Sequence, residues 1–191
     1  MYYLVRHGQT AKNKERLLQG RTDVPLNDTG RQQARQLSDY FAKKGITFDL
    51  VFSSPLGRAV ETAGLIVPGA EILIDDRLTE MDYGPYEGAG LTNLPPEILH
   101  FFSDFIHNPA PDGMEPLASV TARVGEFLES IHGHGEKNVL ISLHAISMKG
   151  ALEYLTPDSS GAYWARNIPN CGLYCFAEAD GRYGRPVEVR Y

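Results

Sequence analysis

Short apolar segments alternate along this chain with longer segments of helical periodicity, and this alternation restricts the fold more than any other feature. The apolar runs predict strands at residues 2–5, 50–53, 71–74, 139–143, 173–176 and, most weakly, 187–189. The patterns between them predict helices at residues 31–44, 55–66, 116–132 and 147–155. Strands that alternate with helices form a mostly parallel sheet with helices on both faces. The sequence therefore predicts an α/β fold of three layers, α/β/α.

The helix predicted over 55–66 carries its own start signal. Ser54 is a residue type that is favoured as an N-cap, and Pro55 suits the first helical position because its missing N–H would have no partner there. We therefore expect this helix to begin at Pro55, directly after the strand over 50–53.

Residues 83–116 interrupt the alternation. This segment holds a helical fragment, "EILHFFSDFIH", among six prolines: Pro85, Pro95, Pro96, Pro109, Pro111 and Pro116. Ligands of open α/β sheets bind beyond the carboxyl ends of the strands. We interpret residues 83–116 as a lid inserted over those ends, the alternative being a long surface loop.

Length and charge exclude several classes of protein. A chain of 191 residues favours one domain, over residues 1–191. A formal net charge of −6 argues against a general nucleic-acid binder or a binder of anionic membranes. No apolar run approaches the roughly 20 residues that span a bilayer, and the chain opens on a strand rather than on a secretion signal. We therefore expect a cytoplasmic protein with no nucleic-acid or membrane partner.

The two cysteines are not expected to form a disulfide. Cys171 and Cys175 lie in "NCGLYCFA", which we interpret as a strand with two core-facing thiols. Four strand residues separate Cα atoms by roughly 13 Å, whereas a disulfide needs them within about 7 Å. His132 and His134 flank a glycine in a turn-like stretch, so a solvated turn is favoured there over a metal site.

Polar side chains follow four of the predicted strands at the point where each strand ends. Arg6 and His7 leave the first strand, Arg58 lies on the first turn of the helix after the second, Glu80 follows the third, and His144 follows "VLISL". The carboxyl ends of parallel strands meet at one edge of the sheet, so we expect these five side chains to lie close together. One such residue is unremarkable in a polar loop, but five at corresponding positions indicate a site.

Five sequence blocks then show a family resemblance. "LVRHGQT", "QGRTDVPLNDTGRQQA", "SSPLGRAVETA", "LTEMDYGPYEG" and "SLHA" resemble, in order, the blocks of the histidine phosphatase superfamily, whose members include phosphoglycerate mutases and small phosphatases. The resemblance covers most of the chain and thins over residues 91–113 and after Leu155. It implies the phosphoglycerate mutase-like fold, and the pattern is also similar to that of α-ribazole phosphatases and broad-specificity phosphatases.

The resemblance also implies a role for each of the five side chains. His7 would be the nucleophile that forms a phosphohistidine, which requires a neutral imidazole. Arg6 and Arg58 would hold the phosphate oxygens, and His144, if protonated, would add a further donor. Glu80 would be the general acid that protonates the leaving alcohol and then deprotonates water.

Further positions match the family pattern less specifically. Thr10, Asn13 and Gln19 match substrate-binding positions, and no metal and no cofactor are implied, because the cationic side chains replace the charge of Mg²⁺. Ala145 stands where the family usually has glycine, which would strain a backbone that needs positive φ but suits a helix start. Glu115 receives no role, and Arg123 is interpreted as a solvent-facing structural arginine.

Hydrolysis of a small-molecule phosphomonoester is the reaction we expect. A phosphoglycerate-type mutase is the alternative within the family, and a non-catalytic phospholigand-binding or scaffold protein is the alternative of another class. Residues 78–115 contain seven acidic residues and no lysine or arginine, so a neutral leaving group is favoured unless Lys12, Arg16 or Arg21 reaches the pocket. The oligomeric state stays open, and a homodimer is compatible with the sequence.

Overall fold

A six-stranded sheet organises the chain, in a computed structural model that describes all 191 residues, Met1–Tyr191. The strands are β1 (Tyr2–Arg6), β2 (Leu50–Ser53), β3 (Leu73–Ile74), β4 (Val139–Leu143), β5 (Leu173–Phe176), β6 (Glu178–Ala179), β7 (Arg182–Tyr183) and β8 (Val187–Val189). The sheet order is β3-β2-β4-β1-β5-β8, and β6 pairs only with β7. Strands β3, β2, β4 and β1 run parallel, β5 is antiparallel to β1, and β8 is antiparallel to β5. The mostly parallel sheet is confirmed.

Six α-helices surround this sheet: α1 (Ala11–Lys14), α2 (Asp28–Lys43), α3 (Gly57–Ile66), α4 (Pro96–Ser103), α5 (Leu117–Ser130) and α6 (Ala145–Leu155). Short 3₁₀ turns lie at Asp76–Leu78, Gly84–Tyr86 and Pro157–Ser159. None of the helices has the length and the hydrophobicity needed to cross a bilayer.

The side chains of β1 show how the three layers are held together. Tyr2 and Leu4 belong to a hydrophobic cluster that includes buried residues of α5 and α6, whereas Tyr3 and Val5 belong to a second cluster with residues of α2 and α3. Successive strand residues point to opposite faces, so one strand supplies both cores. Each such burial stabilises the fold by about 1.5–3 kcal/mol. The predicted α/β/α architecture is confirmed.

Most predicted elements are found, with shifted ends. The strands over 50–53, 139–143, 173–176 and 187–189 have the predicted bounds, whereas β3 has only two residues because it pairs only with Phe52 and Ser53. Helix α2 begins three residues earlier than predicted because the Asn27 side chain caps it, accepting from the Gly30 N–H at 2.9 Å. Helix α6 begins two residues earlier than predicted.

The predicted start of α3 is wrong. The helix begins at Gly57, and its N-cap Leu56 has no capping side chain. Ser54 Oγ accepts from the Leu56 N–H at 3.3 Å but lies closer, at 2.8 Å, to His144 Nε2. The Gly57 N–H donates to Asp23 Oδ2 at 2.8 Å, from another loop. Asp23, which is distant in sequence, therefore accepts from the first N–H of the helix, while the Ser54 hydroxyl bonds mainly to His144 at the neighbouring strand end.

Cys171 lies outside the strand in which we had placed it. The strand begins at Leu173, because the Gly172 N–H donates to the Pro169 carbonyl at 2.8 Å and closes a turn there. Both cysteines are free, with Cys171 buried and Cys175 half-buried, so the expectation of two unpaired thiols is confirmed.

Residues 83–116 contribute to the hydrophobic core as well as to the surface. Ile98 and Phe101 of α4 are buried in the same cluster as residues of α5 and α6, and Tyr86 packs against that cluster. Phe102 and Phe105 are less buried and face a cavity at the carboxyl ends of the strands. Some aromatic residues of this segment therefore anchor it to the core, and others line the cavity.

Candidate active site

A cavity of about 210 Å³ lies at the carboxyl edge of the parallel strands. Its polar lining comprises Arg6, His7, Asn13, Gln19, Glu80 and Lys149. Residues of the 83–116 segment close one side, among them Tyr83, Leu91, Phe102 and Phe105. The first residues of α6, Ala145 and Ile146, complete the wall. The edge predicted from the strand ends is therefore where the candidate residues meet.

His7 is held by its own backbone neighbour. Its Nδ1 lies 2.7 Å from the Gly8 carbonyl oxygen, which can only accept, so Nδ1 carries the proton and Nε2 keeps its lone pair. The ring is 3% exposed, and burial, reinforced by the charges of Arg6 and Arg58, holds the pKa of His7 well below 6.5. The imidazole is therefore neutral and presents an unprotonated nitrogen.

Gly8 lets this turn pack closely on a second loop. A Cβ at Gly8 would come within 2.5 Å of the Gly30 carbonyl oxygen, a backbone atom that cannot move aside. The Gly8 N–H donates to Thr62 Oγ1 at 3.0 Å, which ties the turn to α3. The glycine after His7 is required by this contact rather than by its φ angle.

Two donors in the cavity wall have no hydrogen-bond partner. Arg6 donates from Nη1 to the Ile168 carbonyl at 2.5 Å, while its buried Nε has no acceptor. Gln19 accepts at Oε1 from the Thr10 hydroxyl at 2.6 Å, and its buried Nε2 has no acceptor. Buried donors without acceptors cost free energy, which makes these two residues of the cavity lining candidates for binding an anionic ligand. Thr10 itself is fully buried and does not line the cavity, so its contribution is to orient Gln19 through its hydroxyl.

Asn13 is oriented by its amide oxygen. Asn13 Oδ1 accepts from the Thr10 N–H at 3.2 Å, which caps α1, and from Asn170 Nδ2 at 3.1 Å. Both contacts use the amide oxygen, so the two N–H groups of the Asn13 amide remain available as donors to a ligand in the cavity. Asn170, which sequence analysis missed, also donates to the His7 carbonyl at 3.1 Å.

His144 and Arg58 lie directly behind His7. The His7 and His144 ring centres are 5.1 Å apart. Arg58 Nε donates to His144 Nδ1 at 3.2 Å, and His144 Nε2 lies 2.8 Å from Ser54 Oγ. Nδ1 can accept only when it is unprotonated, and burial, together with the charge of Arg58, holds the pKa of His144 well below 6.5. The resemblance gave His144 a donor role only if its ring is protonated; in this structure the imidazole is neutral, so that condition is not met.

Arg58 is fully buried and does not line the cavity wall. Its Nη1 and Nη2 atoms donate to the carbonyls of Thr22 and Gly20, at 2.9 and 2.6 Å. The loop that supplies these carbonyls is held by Glu87, whose carboxylate accepts from the backbone N–H groups of Arg21 and Thr22. The predicted contact of Arg58 with a phosphate stays a prediction, and the structure shows its charge beside both histidines.

Glu80 lies at the N-terminus of α6. Its Oε1 atom accepts from the backbone N–H groups of Ile146 and Ser147, at 3.1 and 3.0 Å, and from its neighbour Met81 at 2.9 Å. Helix N-termini bind anionic groups because their first N–H groups have no partner within the helix. Oε2 makes a single contact of 3.2 Å, to Ile146, so this oxygen has fewer protein partners than Oε1. Ala145 is the first residue of α6 and does not have a positive φ, so alanine is unstrained at this position. The same helix start holds Glu80.

The loop that carries Glu80 is fixed by an ion pair that sequence analysis misjudged. Arg123 is not solvent-facing: its side chain is 16% exposed, and it donates to Glu115 and to the carbonyls of Arg77 and Thr79. Glu115 also accepts from the Asp82 N–H at 3.2 Å, so it does have a role. This pair connects α5 to both sides of Glu80, a long-range arrangement that local spacing does not reveal.

Lys149 is the cavity residue that the sequence analysis missed. It comes from α6 and not from the 83–116 segment, so the absence of cations in that segment does not leave the cavity without one. Arg21, which we considered as a source of charge, instead lies 3.5 Å from both Asp82 and Glu115. The expectation of a neutral leaving group assumed that no lysine or arginine reaches this part of the cavity, and Lys149 shows that this assumption was wrong.

The architecture and the cavity define an α/β protein that presents a neutral, buried histidine and unpaired cationic and amide donors at the carboxyl edge of its sheet. Residues 2–187 match the family model of the histidine phosphatase superfamily (branch 1), and the chain belongs to this superfamily. A relative provisionally named phosphoserine phosphatase 2, from Hydrogenobacter thermophilus, is 32% identical over 176 residues, which cover 90% of this chain and 86% of the relative.

Two further comparisons agree. A protein of Escherichia coli provisionally named phosphoglycerate mutase GpmB is 35% identical over 179 residues, 90% of this chain and 81% of the relative. The crystal structure of a mutant phosphoserine phosphatase from Entamoeba histolytica, in complex with phosphoserine, superposes with a TM-score of 0.83 at 26% identity, over 99% of this chain and 94% of the other. The resemblance recognised in the five sequence blocks is confirmed.

Proposed function

We propose that this protein is a phosphomonoester phosphatase that works through a phosphohistidine at His7. The observation that carries the proposal is the His7 tautomer: Nδ1 is occupied by the Gly8 carbonyl, which leaves the Nε2 lone pair available in the cavity. The unpaired donors of Arg6 and Gln19 lie in the same cavity wall and suit the oxygens of a phosphate. Membership of the superfamily and the names of the relatives support this reaction.

In the first step, His7 Nε2 attacks phosphorus and the bond from phosphorus to the ester oxygen breaks. Arg6, Gln19 and Asn13 hold the non-bridging oxygens, and the buried charge of Arg58 stabilises the negative charge that persists through the transition state. Glu80, in its protonated form, gives its proton to the leaving oxygen, and an alcohol departs.

In the second step, the Glu80 carboxylate takes a proton from water as that water attacks phosphorus, and the bond to Nε2 breaks. Inorganic phosphate is released and His7 returns to its neutral form. His144 takes no proton in this sequence, because both of its nitrogens are held, by Arg58 and Ser54. Its role is to fix Arg58 beside His7.

The 83–116 segment acts as a lid in this proposal, and we treat the chain as one domain with that lid inserted. Tyr83, Leu91, Phe102 and Phe105 of this segment line the cavity and would contact the leaving group. The proposed substrate is a small-molecule phosphomonoester, which fits a cavity of about 210 Å³. The cytoplasmic location and the homodimer stay predictions from the sequence.

A phosphoglycerate-type mutase is the second candidate. The GpmB relative and the cation contributed by Lys149 favour it, because a mutase must hold an anionic alcohol while the phosphoryl group returns to it. The two activities differ in where the phosphoryl group goes, to water or to the second hydroxyl.

Release of inorganic phosphate from p-nitrophenyl phosphate and from a panel of alkyl phosphates tests the proposal. We expect release from several members and none from the His7→Ala variant, whose change lies at the surface of the cavity and leaves the two cores intact. Isomerisation of a phosphoglycerate without phosphate release would support the mutase instead. Binding of phosphate esters with neither reaction would show a non-catalytic phospholigand-binding protein.

A further inference from the structure

Lys149 brings a lysine ammonium to the cavity, and none of the steps proposed above uses it. The residue lies one turn into α6 and, with Arg6, is one of two cationic residues of the lining. Arg6 is committed to the phosphate end, next to His7. The ammonium of Lys149 therefore has no assigned partner in the reaction.

No carboxylate forms an ion pair with this charge, and Glu80, which lines the same cavity, acts on it only from beyond ion-pair range. Lys149 takes part in no ion pair within 4.0 Å; its Nζ donates to the Trp164 carbonyl at 2.7 Å and lies 5.6 Å from the centre of the Phe105 ring. One of the three ammonium hydrogens is thus used, and two are available. The side chain is half-buried, and burial lowers its pKa to about 8, so most of it is charged at pH 7. A partly desolvated cation that has no direct ion pair and two unused donors favours binding of an anion.

The position of Lys149 relative to Glu80 sets the distance at which that anion would lie. Glu80 is held by the N–H of Ile146, and Lys149 follows Ile146 by three residues, which is about 4.5 Å along the helix axis. If Glu80 protonates the leaving oxygen, Lys149, one turn further along α6 and in the same cavity, would face the part of the leaving group beyond that oxygen.

The surrounding surface leaves room for such a substituent. A second cavity of about 480 Å³ shares Phe102, Phe105 and Lys149 with the first and continues to Trp164 and Arg166. Lys149 therefore lies where the phosphate cavity meets an outer cleft. A leaving group can extend past the lysine without displacing the lid.

We propose that Lys149 is a specificity-determining residue that binds a carboxylate on the leaving alcohol of the substrate. This inference rests on the proposed phosphatase function and names the substrate class more closely. A carboxylate is favoured over a second phosphate because a single ammonium balances one negative charge, whereas a dianion would keep an uncompensated charge in a cavity that also holds Glu80.

Two matched substrate pairs isolate the carboxylate. O-phosphoserine differs from O-phosphoethanolamine, and 3-phosphoglycerate differs essentially from glycerol 3-phosphate, by the carboxylate alone, which lies three bonds from the ester oxygen in both acids. We expect phosphate release from each acid to exceed that from its partner by about tenfold in kcat/KM, which corresponds to about 1.4 kcal/mol. The difference should reside mainly in KM, because an ion pair that persists from the bound substrate to the transition state changes binding more than turnover.

Two variants of Lys149 and one control variant test whether this lysine causes the preference for substrates that carry the carboxylate. Lys149→Met should bring the ratio of the acid to its carboxylate-free partner close to one, and Lys149→Arg should keep most of the preference because it keeps the charge. Lys43→Met, an exposed lysine of α2, is the matched control and should retain the wild-type ratio. Because both ratios are internal to each variant, a general loss of stability after losing the Trp164 contact does not imitate the result.

The outcomes separate this inference from the proposed function. If wild-type protein releases phosphate from p-nitrophenyl phosphate but shows no preference for either acid, the carboxylate subsite is wrong and the phosphatase stands. The same conclusion follows if Lys149→Met lowers the rate with every substrate equally, or if a sugar bisphosphate is the best substrate of the wild type. If no phosphomonoester is hydrolysed at all, the proposed function itself fails.

Discussion

The Glu80 carboxylate accepts a hydrogen bond from the Ser147 backbone N–H, with 3.0 Å between Oε1 and the nitrogen. This contact joins the loop after β3 to the start of α6, which directly follows His144. The proposed acid is thus positioned by the same strand-to-helix turn that positions the second histidine. Displacement of either loop would separate the acid from the phosphate cavity.

Replacement of the acid should depend on the leaving group. Glu80→Gln keeps an oxygen for the α6 N–H groups but has no proton to give, so phosphoenzyme formation from alkyl phosphates should fall by about 10²–10⁴-fold. Nitrophenolate leaves without a proton, so p-nitrophenyl phosphate should lose far less. The measurement is the pre-steady-state burst of leaving group; equal losses for both substrates would assign the acid role to another residue.

Loss of the ion pair behind Glu80 should affect turnover more than binding. Arg123→Met removes the contacts to Glu115 and to the carbonyls of Arg77 and Thr79, so the loop should lose its fixed position. We expect kcat with alkyl phosphates to fall by about tenfold, or about 1.4 kcal/mol, with KM little changed. Arg35→Met, an exposed arginine of α2, is the control. Equal losses for alkyl and p-nitrophenyl phosphates would show that Arg123 supports the fold without positioning the acid.

Stability should decrease as pH falls below about 6.5. In the folded protein the pKa values of His7 and His144 lie well below 6.5, so the unfolded chain binds protons in this window that the folded chain does not. The free energy of unfolding should therefore decline towards acid pH, by up to about 1.4 kcal/mol per pH unit for each histidine. Denaturant titrations from pH 7.5 to 5 measure this slope. His7→Gln should reduce it, and an unchanged slope would mean that His7 is protonated in the folded state.

Chelation should leave the activity intact. The charge of the phosphate is met in the proposed reaction by Arg6, Arg58 and the amide donors, so no step depends on a divalent ion. We expect phosphate release to continue after treatment with EDTA and dialysis. Activity that is lost on chelation and restored by Mg²⁺ or Zn²⁺ would contradict the site as described.

Buried strands and their polar ends were predictable because they leave local signals. The mainly apolar runs at Leu50–Ser53 and Val139–Leu143 predict strands buried by helices on both faces, and the order of elements then brings His7, Glu80 and His144 to one edge. Helix α1 was missed because four residues are too few for a period, and the contact of Thr10 with Asn13 stabilises it instead.

Residues that act through distant partners left no such signal. In the sequence, Lys149 resembles any polar residue of an amphipathic helix, and only the fold shows that it lines the cavity. The Arg123–Glu115 pair depends on how α5 packs against the loop before Glu80. Ser54 matches a helix cap by local chemistry, but the neighbouring strand end brings His144 to its hydroxyl, and this contact prevails.

Phosphorylation of His7 itself tests the central claim most directly. Brief exposure of the protein to ³²P-labelled substrate, followed by denaturation in base and peptide mapping, should give label that is stable in base, labile in acid and confined to the peptide that contains His7. With labelled p-nitrophenyl phosphate, whose leaving group needs no proton, label should approach about one phosphate per chain in the Glu80→Gln variant, where attack by water is slowed. Label on another residue, or turnover with no labelled protein under conditions that trap the intermediate, would contradict the phosphohistidine mechanism.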